Sequence, residues 1–289
     1  KRQGNDISLN TTQLFRDPSA WYHIVVAIDT TQATSTNRGK IYVNGNQVTA
    51  LQGGAVYPSQ NYNTSVNLAT FSNRMGGSGS SYLDAYISSV YFIDGQALTP
   101  GSFGTNDAYG NWKPIAYVGA YGTNGFFLNF SNAASTTTIG YDASPLYPNG
   151  NNWTANNISV TPGTTYDSMF DVPTNTSATV ANYPTWNPLD ALTASTFQNG
   201  NLQITTPSAG GGVSRATMGL IGGKFYWEVV GTTNGNYLEI GILKSTDTSA
   251  SYLESQPGGY SYLSNGQKYN NSVGAAYGNS YTTNDIIGI

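Results

Sequence analysis

Residues 21–48, WYHIVVAIDTTQATSTNRGKIYVNGNQV, constrain what this chain can fold into more than any other stretch. In an extended backbone Tyr22, Ile24, Val26 and Ile28 fall on one side, and His23, Val25 and Ala27 on the other. A period of two, carried by β-branched and aromatic residues, predicts a strand buried on at least one face. After a polar loop, Ile41-Tyr42-Val43 runs into Asn44-Gly45, and Gln47-Val48 resumes the extended pattern. Asn-Gly suits two successive residues of positive φ, so a hairpin closed by a type I′ turn is expected. The unit is strand, loop and hairpin, and its apolar face requires a second sheet to cover it.

Composition agrees with a β protein and removes several functions. Only 9% of the 289 residues are charged, and 13% are aromatic. An ordinary soluble protein carries roughly 25% charged residues. Disordered chains are poor in aromatics, so a sequence with 34 Gly and 22 Tyr reads instead as strands joined by long hydrogen-bonded loops. Such chains suit the outside of a cell or virion. The net charge is −4, and no Lys or Arg falls between Lys113 and Arg215. Displacing the counterions of a nucleic acid needs clustered cations, so no nucleic-acid partner is expected. With no Cys there is no disulfide, thiolate metal site or Cys nucleophile. No apolar run approaches the roughly 18 residues of a membrane span, so no membrane insertion is expected.

Along the chain, residues 66–71 read as a strand and residues 75–80 as a flexible turn. Residues 82–93 read as a strand with Leu83, Ala85, Ile87 and Val90 inward and an irregularity near Ser88, closed by an Asp94-Gly95 turn. GFFLNF, residues 125–130, is a short strand able to return to the first sandwich. The surrounding sequence reads as an extended connector anchored by Trp112, Trp153, Phe170 and Trp186. From about Asn182 strand signals return: an Asn199-Gly200 turn, a strand at 213–220, and residues 224–230 pairing with 237–243. Another Asn-Gly turn lies within residues 261–269, and residues 286–289 begin a further strand.

Two families are met on these residues. WYHIVVAIDTT, KIYVNGNQV and YLDAYISSVYFIDGQALTP resemble the late motifs of the laminin-G-like, concanavalin-type jelly roll. Ala85 stands where that family has Gly, and Ser88-Ser89 where it has an acidic pair. GGKFYWEVV, YLEIGIL, GGYSYLSNGQKYNN and YTTNDIIGI resemble a SPRY domain, with Asn284 in place of the usual Gly before Asp285. The connector is similar to that found between these modules in structural proteins of tailed phages, notably marine ones. The resemblances imply an all-β chain of two jelly-roll-like β-sandwich modules joined by an extended, loop-rich connector. Residues 1–110 would be the later half of the laminin-G-like module, 111–181 a connector packing on both modules, and 182–289 a C-terminally truncated SPRY-like module. Both modules are expected to be incomplete, with the missing strands before Lys1 and after Ile289.

Enzymatic chemistry finds little support. Glycoside hydrolysis needs two carboxylates roughly 5–10 Å apart. The three Glu are Glu228, Glu239 and Glu254, all in the SPRY-like region. Glu228 and Glu239 are expected on adjacent strands, but Glu228 fills that family's structural slot. The sole His, His23, lies mid-strand with no nucleophile elbow in the sequence, so it reads as a packed, hydrogen-bonded residue. One His and no Cys cannot make a zinc site. Ca²⁺ has better prospects, because laminin-G-like domains can bind it at the sandwich rim and Asp29, Asp84 and Asp94 lie at strand ends. Isolated Asp residues before Gly or Thr more often cap turns, so no cofactor is expected.

Binding is the better reading. A shallow glycan site needs exposed aromatic faces beside amides and hydroxyls. Tyr252, Tyr260, Tyr262, Tyr269, Tyr277 and Tyr281 supply them, interleaved with Asn, Ser and Gly. The expectation is a non-enzymatic virion-surface protein, a tail fibre or capsid decoration, binding a host cell-surface glycan or receptor. Its partners would include other virion proteins and copies of itself, a homotrimer being expected from the class. A purely structural virion subunit is the first alternative, and a bacterial secreted adhesin or glycanase accessory module the second.

Overall fold

A computed structural model describes residues 7–16, 20–66, 68, 70, 72–78, 80–83, 85–145, 150–169, 171–174, 177, 181–191, 194–206, 213–232, 238–247 and 252–289. It is built mostly of short strands, and among the described residues the helical structure amounts to four 3-10 turns. The chain is therefore all-β. No helix among the described residues is long and apolar enough to cross a membrane. Contacts divide the chain into a unit of residues 1–160 and 170–182, and a second of residues 161–169 and 183–289.

In the first unit β1 (Ile24–Ile28), β2 (Gly39–Val43) and β3 (Asn46–Gln47) form an antiparallel sheet in that order. The pairs run from Ile24↔Val43 to Ile28↔Gly39, and Val43↔Asn46 leaves a two-residue loop. Asn44 (φ 46°) and Gly45 (φ 82°) both lie in the left-handed region, giving the type I′ turn that the dipeptide predicts. The Asn44 side-chain oxygen accepts the backbone N–H of His23 at 2.9 Å, tying the turn to the start of β1.

The rest of the first unit is stitched from two-strand ladders. β4 (Gly77–Ser78) pairs with β5 (Ser81–Tyr82), β6 (Val90–Phe92) with β9 (Phe126–Leu128), and β7 (Gly104–Asn106) with β8 (Trp112–Pro114). The densest packing sits around β6 and β9. Tyr91 stacks on Phe127 at 4.3 Å, and Phe103, Tyr117 and Tyr121 close round them. Phe126, Leu128 and Ile139 are buried, and the buried Asp142 carboxylate accepts the N–H groups of Phe127, Ser144 and Asn151. Much of the segment that reads as a connector thus supplies the first unit's core.

Two strand expectations in this unit fail. Within residues 66–71, Val66, Leu68 and Thr70 take no strand, and Asn67, Ala69 and Phe71 lie outside the described residues. The strand expected over 82–93 is broken into β5 and β6. Ser89 turns into the left-handed region (φ 52°), and Leu83 and Ile87 are exposed rather than inward.

The second unit opens with β10 (Trp186–Ala191), β11 (Thr196–Gln198), β12 (Gln203–Thr205) and β13 (Ser214–Ala216). β10 pairs with β13 and β11 with β12. Arg215 joins the first pair: its Nη2 donates to Asp190 Oδ1 at 2.9 Å, and its Nε lies 2.7 Å from Oδ2 as a charge contact outside hydrogen-bond alignment. β14 (Glu228–Val230) follows, then an antiparallel meander of β15 (Glu239–Leu243), β16 (Gly259–Leu263), β17 (Gln267–Asn270) and β18 (Val273–Ala276), and last β19 (Ile286–Gly288). Ile240, Tyr281 and Ile287 form this unit's core cluster, flanked by Val229, Leu238, Tyr262 and Ile289.

The pairing of 224–230 with 237–243 is corrected here. β14 pairs with β19, Glu228↔Gly288 to Val230↔Ile286, and β15 pairs with β16. The ladder extends beyond the strands: Trp227 and Ile289 exchange N–H···O bonds at 3.1 and 3.0 Å, and Asn284 N–H donates to Gly231 O at 2.6 Å. β14 thereby spends its pairing groups on β19, 56 to 60 residues later, rather than on its neighbour in sequence.

Candidate functional site

The candidate surface is one face of the β15–β18 meander. Cross-strand partners share a face, so the register sorts the side chains. Ile242, Tyr260, Asn270 and Val273 form one rung, and Ile240, Tyr262, Lys268 and Ala275 the next. The opposite face takes Gly241, Ser261, Tyr269 and Gly274 in one rung, with Glu239 opposite Leu263 beyond it. The β17–β18 turn uses Asn271 (φ 48°) and Ser272 (φ 62°), a two-residue left-handed turn made without glycine.

The six tyrosines separate accordingly. Tyr260 is 57% exposed and Tyr277 67% exposed. Tyr262 stands between them in role: half-buried, with its hydroxyl donating to Asn279 O, and its ring meeting Tyr277 edge-on at 5.4 Å. Lys268 Nζ lies 5.3 Å from the centre of the Tyr277 ring, within reach of its electron-rich face. Tyr281 is different. It is 7% exposed, packs on Tyr262 at 5.2 Å, and its hydroxyl donates to Leu238 O (2.7 Å) and Tyr262 O (2.9 Å). It is a core residue, and burial pushes its phenol well above the usual range. Tyr269 belongs to the opposite face and donates to Gln267 Oε1 at 2.6 Å. Tyr252 is exposed on the segment that precedes β16, at the start of the 3-10 turn Leu253–Ser255.

The groups on this face are suited to stacking and hydrogen bonding. Tyr260 and Tyr277 offer open phenol faces, with Asn270, Ile242 and Val273 beside the first and a cation beside the second. Rings of this kind stack on the apolar faces of ligands while neighbouring polar groups orient them. Lys268 escapes a reading of the sequence that looks only for aromatics. Its signal was its rarity, since cations are few in this chain and it sits one residue from Tyr269.

The carboxylates expected on adjacent strands are apart in the fold. Glu228 is exposed on β14 and accepts the Tyr226 hydroxyl at 2.8 Å, whereas Glu239 begins β15, which β14 does not join. Glu239 Oε2 accepts the N–H of Glu254 at 3.0 Å. Burial, then the neighbouring Glu254 charge, lifts its carboxyl to about 7 against the pull of those N–H donors.

The remaining titratable candidates are held in the first unit. His23 Nδ1 accepts the Trp112 indole N–H at 3.0 Å, so the imidazole is neutral with its proton on Nε2, and burial lowers its proton affinity. Asp29 accepts Thr31 N–H, Thr31 Oγ1–H and Gln32 Nε2–H at 2.6–3.0 Å. Asp94 Oδ2 accepts the backbone and side-chain N–H groups of Asn124. Both carboxylates cap turns, and Asp84 lies outside the described residues. Among the described residues no group of three or more His, Asp or Glu gathers to hold a metal ion. Trp112 and Trp153 pack in this unit, the latter on Phe126 at 5.1 Å, while Phe170 lies outside the described residues. No protein-family model, curated protein or solved structure matches the chain.

Proposed function

We propose that this chain is a non-enzymatic appendage protein, of the kind carried on virions, that binds a host-surface glycan through the open face of the β15–β18 meander. The observation that carries the reading is the juxtaposition of Tyr260, Tyr262, Tyr277 and Lys268 on that face. A shallow aromatic site of this size gives weak single contacts, so useful affinity would come from display in several copies. The low charge and resemblance to laminin-G-like and SPRY modules support the same class. The test is a glycan array probed with the whole chain, followed by Tyr277→Ala. A stacked phenol contributes about 0.5–1.5 kcal/mol, so the substitution is expected to weaken binding roughly 2- to 13-fold with folding intact. Absence of binding to any glycan overturns the reading.

A second reading rests on a separate observation. Leu220, Ile221, Phe225 and Tyr226 form an exposed apolar run in the second unit. Contiguous apolar surface marks a contact site, which favours a structural subunit packed against neighbouring proteins. Self-association measured by sedimentation, abolished by Ile221→Asp and Phe225→Asp while glycan binding is absent, would favour this role.

A further inference from the structure

The open rung of the meander is bordered by a cation whose surroundings the backbone sets. In the β16–β17 turn Gly266 has φ 87°, and its carbonyl accepts the N–H groups of Tyr277 at 3.1 Å and Gly278 at 3.0 Å. A Cβ on Gly266 would meet Gly278 O at 2.6 Å, so glycine is what lets the segment after β18 lie that close. The Tyr277 ring is thereby placed edge-on to Tyr262 and 5.3 Å from Lys268 Nζ. Lys268 itself is exposed, opposite Tyr262 and diagonal to Tyr260 across β16 and β17. Diagonal partners lie about 7–8 Å apart, so one ligand can touch the Lys268 ammonium and the exposed Tyr260 ring together.

The charge of Lys268 is unanswered within the fold. Neither rung of this face carries an Asp or Glu, and among the described residues the one ion pair is Arg215 with Asp190. Asp285, the one carboxylate side chain between Tyr277 and Ile289, accepts Thr282 N–H at 2.7 Å. Lys244, past the end of β15, differs, because it borders Gly258 beside the Asp247 carboxylate. The Asn270 amide next to Tyr260 spends a donor on Gly259 O at 2.7 Å. Lys268 therefore holds the strongest donors left on this face, three N–H groups and no acceptor.

We propose that the ligand of this face is an acidic glycan, whose carboxylate or sulfate group meets Lys268 while its sugar rings lie against Tyr260 and Tyr277. The inference rests on the glycan-binding reading and narrows it to one class. A net charge of −4 repels an acidic polymer at long range, and salt screens that repulsion beyond about 8 Å under physiological conditions. Attraction is thus confined to contact with Lys268. Removing that one charge takes the net from −4 to −5 and leaves repulsion alone.

Binding of the whole chain to matched oligosaccharide pairs tests the inference: oligogalacturonate beside its methyl ester, and a sulfated galactan beside its desulfated form. At low salt the acidic member is expected to bind about 2- to 5-fold tighter, the range of an exposed charge contact, and the advantage should shrink as salt is raised. An advantage confined to the first pair assigns a carboxylate, and one confined to the second a sulfate ester. Lys268→Gln is expected to weaken the acidic member more than the neutral one, closing or reversing the gap, and Lys268→Arg to keep it. Equal binding of both members by the wild type, or tighter binding of the neutral one, overturns the inference and leaves glycan binding standing. So does a gap retained by Lys268→Gln, or an equal loss of both members, since Lys268 would then act only by holding the Tyr277 ring. Binding to no member of either pair also overturns it, whereas binding to no glycan of any kind overturns the glycan reading itself.

Discussion

The β1–β3 sheet and the β15–β18 meander carry equally regular alternation, yet the fold treats them differently. Ile24 and Val26 on β1 are 57% and 56% exposed, while Ile240 on β15 is 8% exposed and Leu263 on β16 only 1%. The meander is covered on one face by the 252–259 segment, and on the other Tyr281 and Ile287 cover its Ile240–Tyr262 end, leaving the rung of Ile242, Tyr260 and Val273 open. The β1 face carrying Ile24 and Val26 has no comparable cover among the described residues. Alternation therefore fixes which side chains share a face, and leaves open whether anything reaches that face. That second question is answered by residues far away in sequence, such as Ile287 for Ile240.

The contrast can be broken most directly by truncating one residue from each sheet. Ile240→Ala is expected to destabilise the second unit by about 2–5 kcal/mol, the ordinary cost of emptying a packed aliphatic site. Val26→Ala is expected to stay within about 0.5 kcal/mol, as for other exposed positions. Denaturant midpoints of the two variants decide it, and a large loss for Val26→Ala would mean that its face is covered.

A smaller effect is expected at the turn. Gly45 has φ 82°, and a Cβ there would meet the Trp112 ring at 2.5 Å. Gly45→Ala is expected to cost about 1–3 kcal/mol, read as a lowered unfolding midpoint of the first unit.

The smallest concerns His23. Its folded proton affinity is lowered by burial, so the stability it adds is present above its ordinary value near 6.5 and is lost as pH falls through the lower folded value. The first unit's unfolding midpoint should drop modestly on acidification, and His23→Gln should remove that part of the slope.

How much of this could be read in the chain depends on the range of the interaction. Asn44-Gly45 names its own turn because the constraint is local, two residues that tolerate positive φ. Asn271-Ser272 makes the same turn without the dipeptide that announces it. The choice of partner for β14 was not legible, since Val229 and Ile240 show equally good strand pattern and only Asn284 to Ile289 decides between them. The first unit's core was hidden for a related reason. Tyr121 and Ile139 lie among Asn, Ser, Thr and Gly with no period to mark them, and only Phe126 and Leu128, inside the strand read at 125–130, alternate. Within the tyrosines, the β16–β17 register puts Tyr260 and Tyr262 on one face and Tyr269 on the other. The burial of Tyr281 required the core round Ile287, and the Glu254 N–H bond to Glu239 required the chain after β15 to fold back on a residue fifteen positions earlier.

Among the described residues burial raises one phenol furthest in each unit: Tyr121, pushed up to about 12, in the first and Tyr281, raised further, in the second. Unfolding returns either phenol to an ordinary affinity near 10, so above that pH the unfolded chain gives up protons that the folded chain retains. In strong alkali these two residues become optical gauges. The phenolate absorbance that arrives late, after the exposed tyrosines have ionised, reports the opening of the two cores.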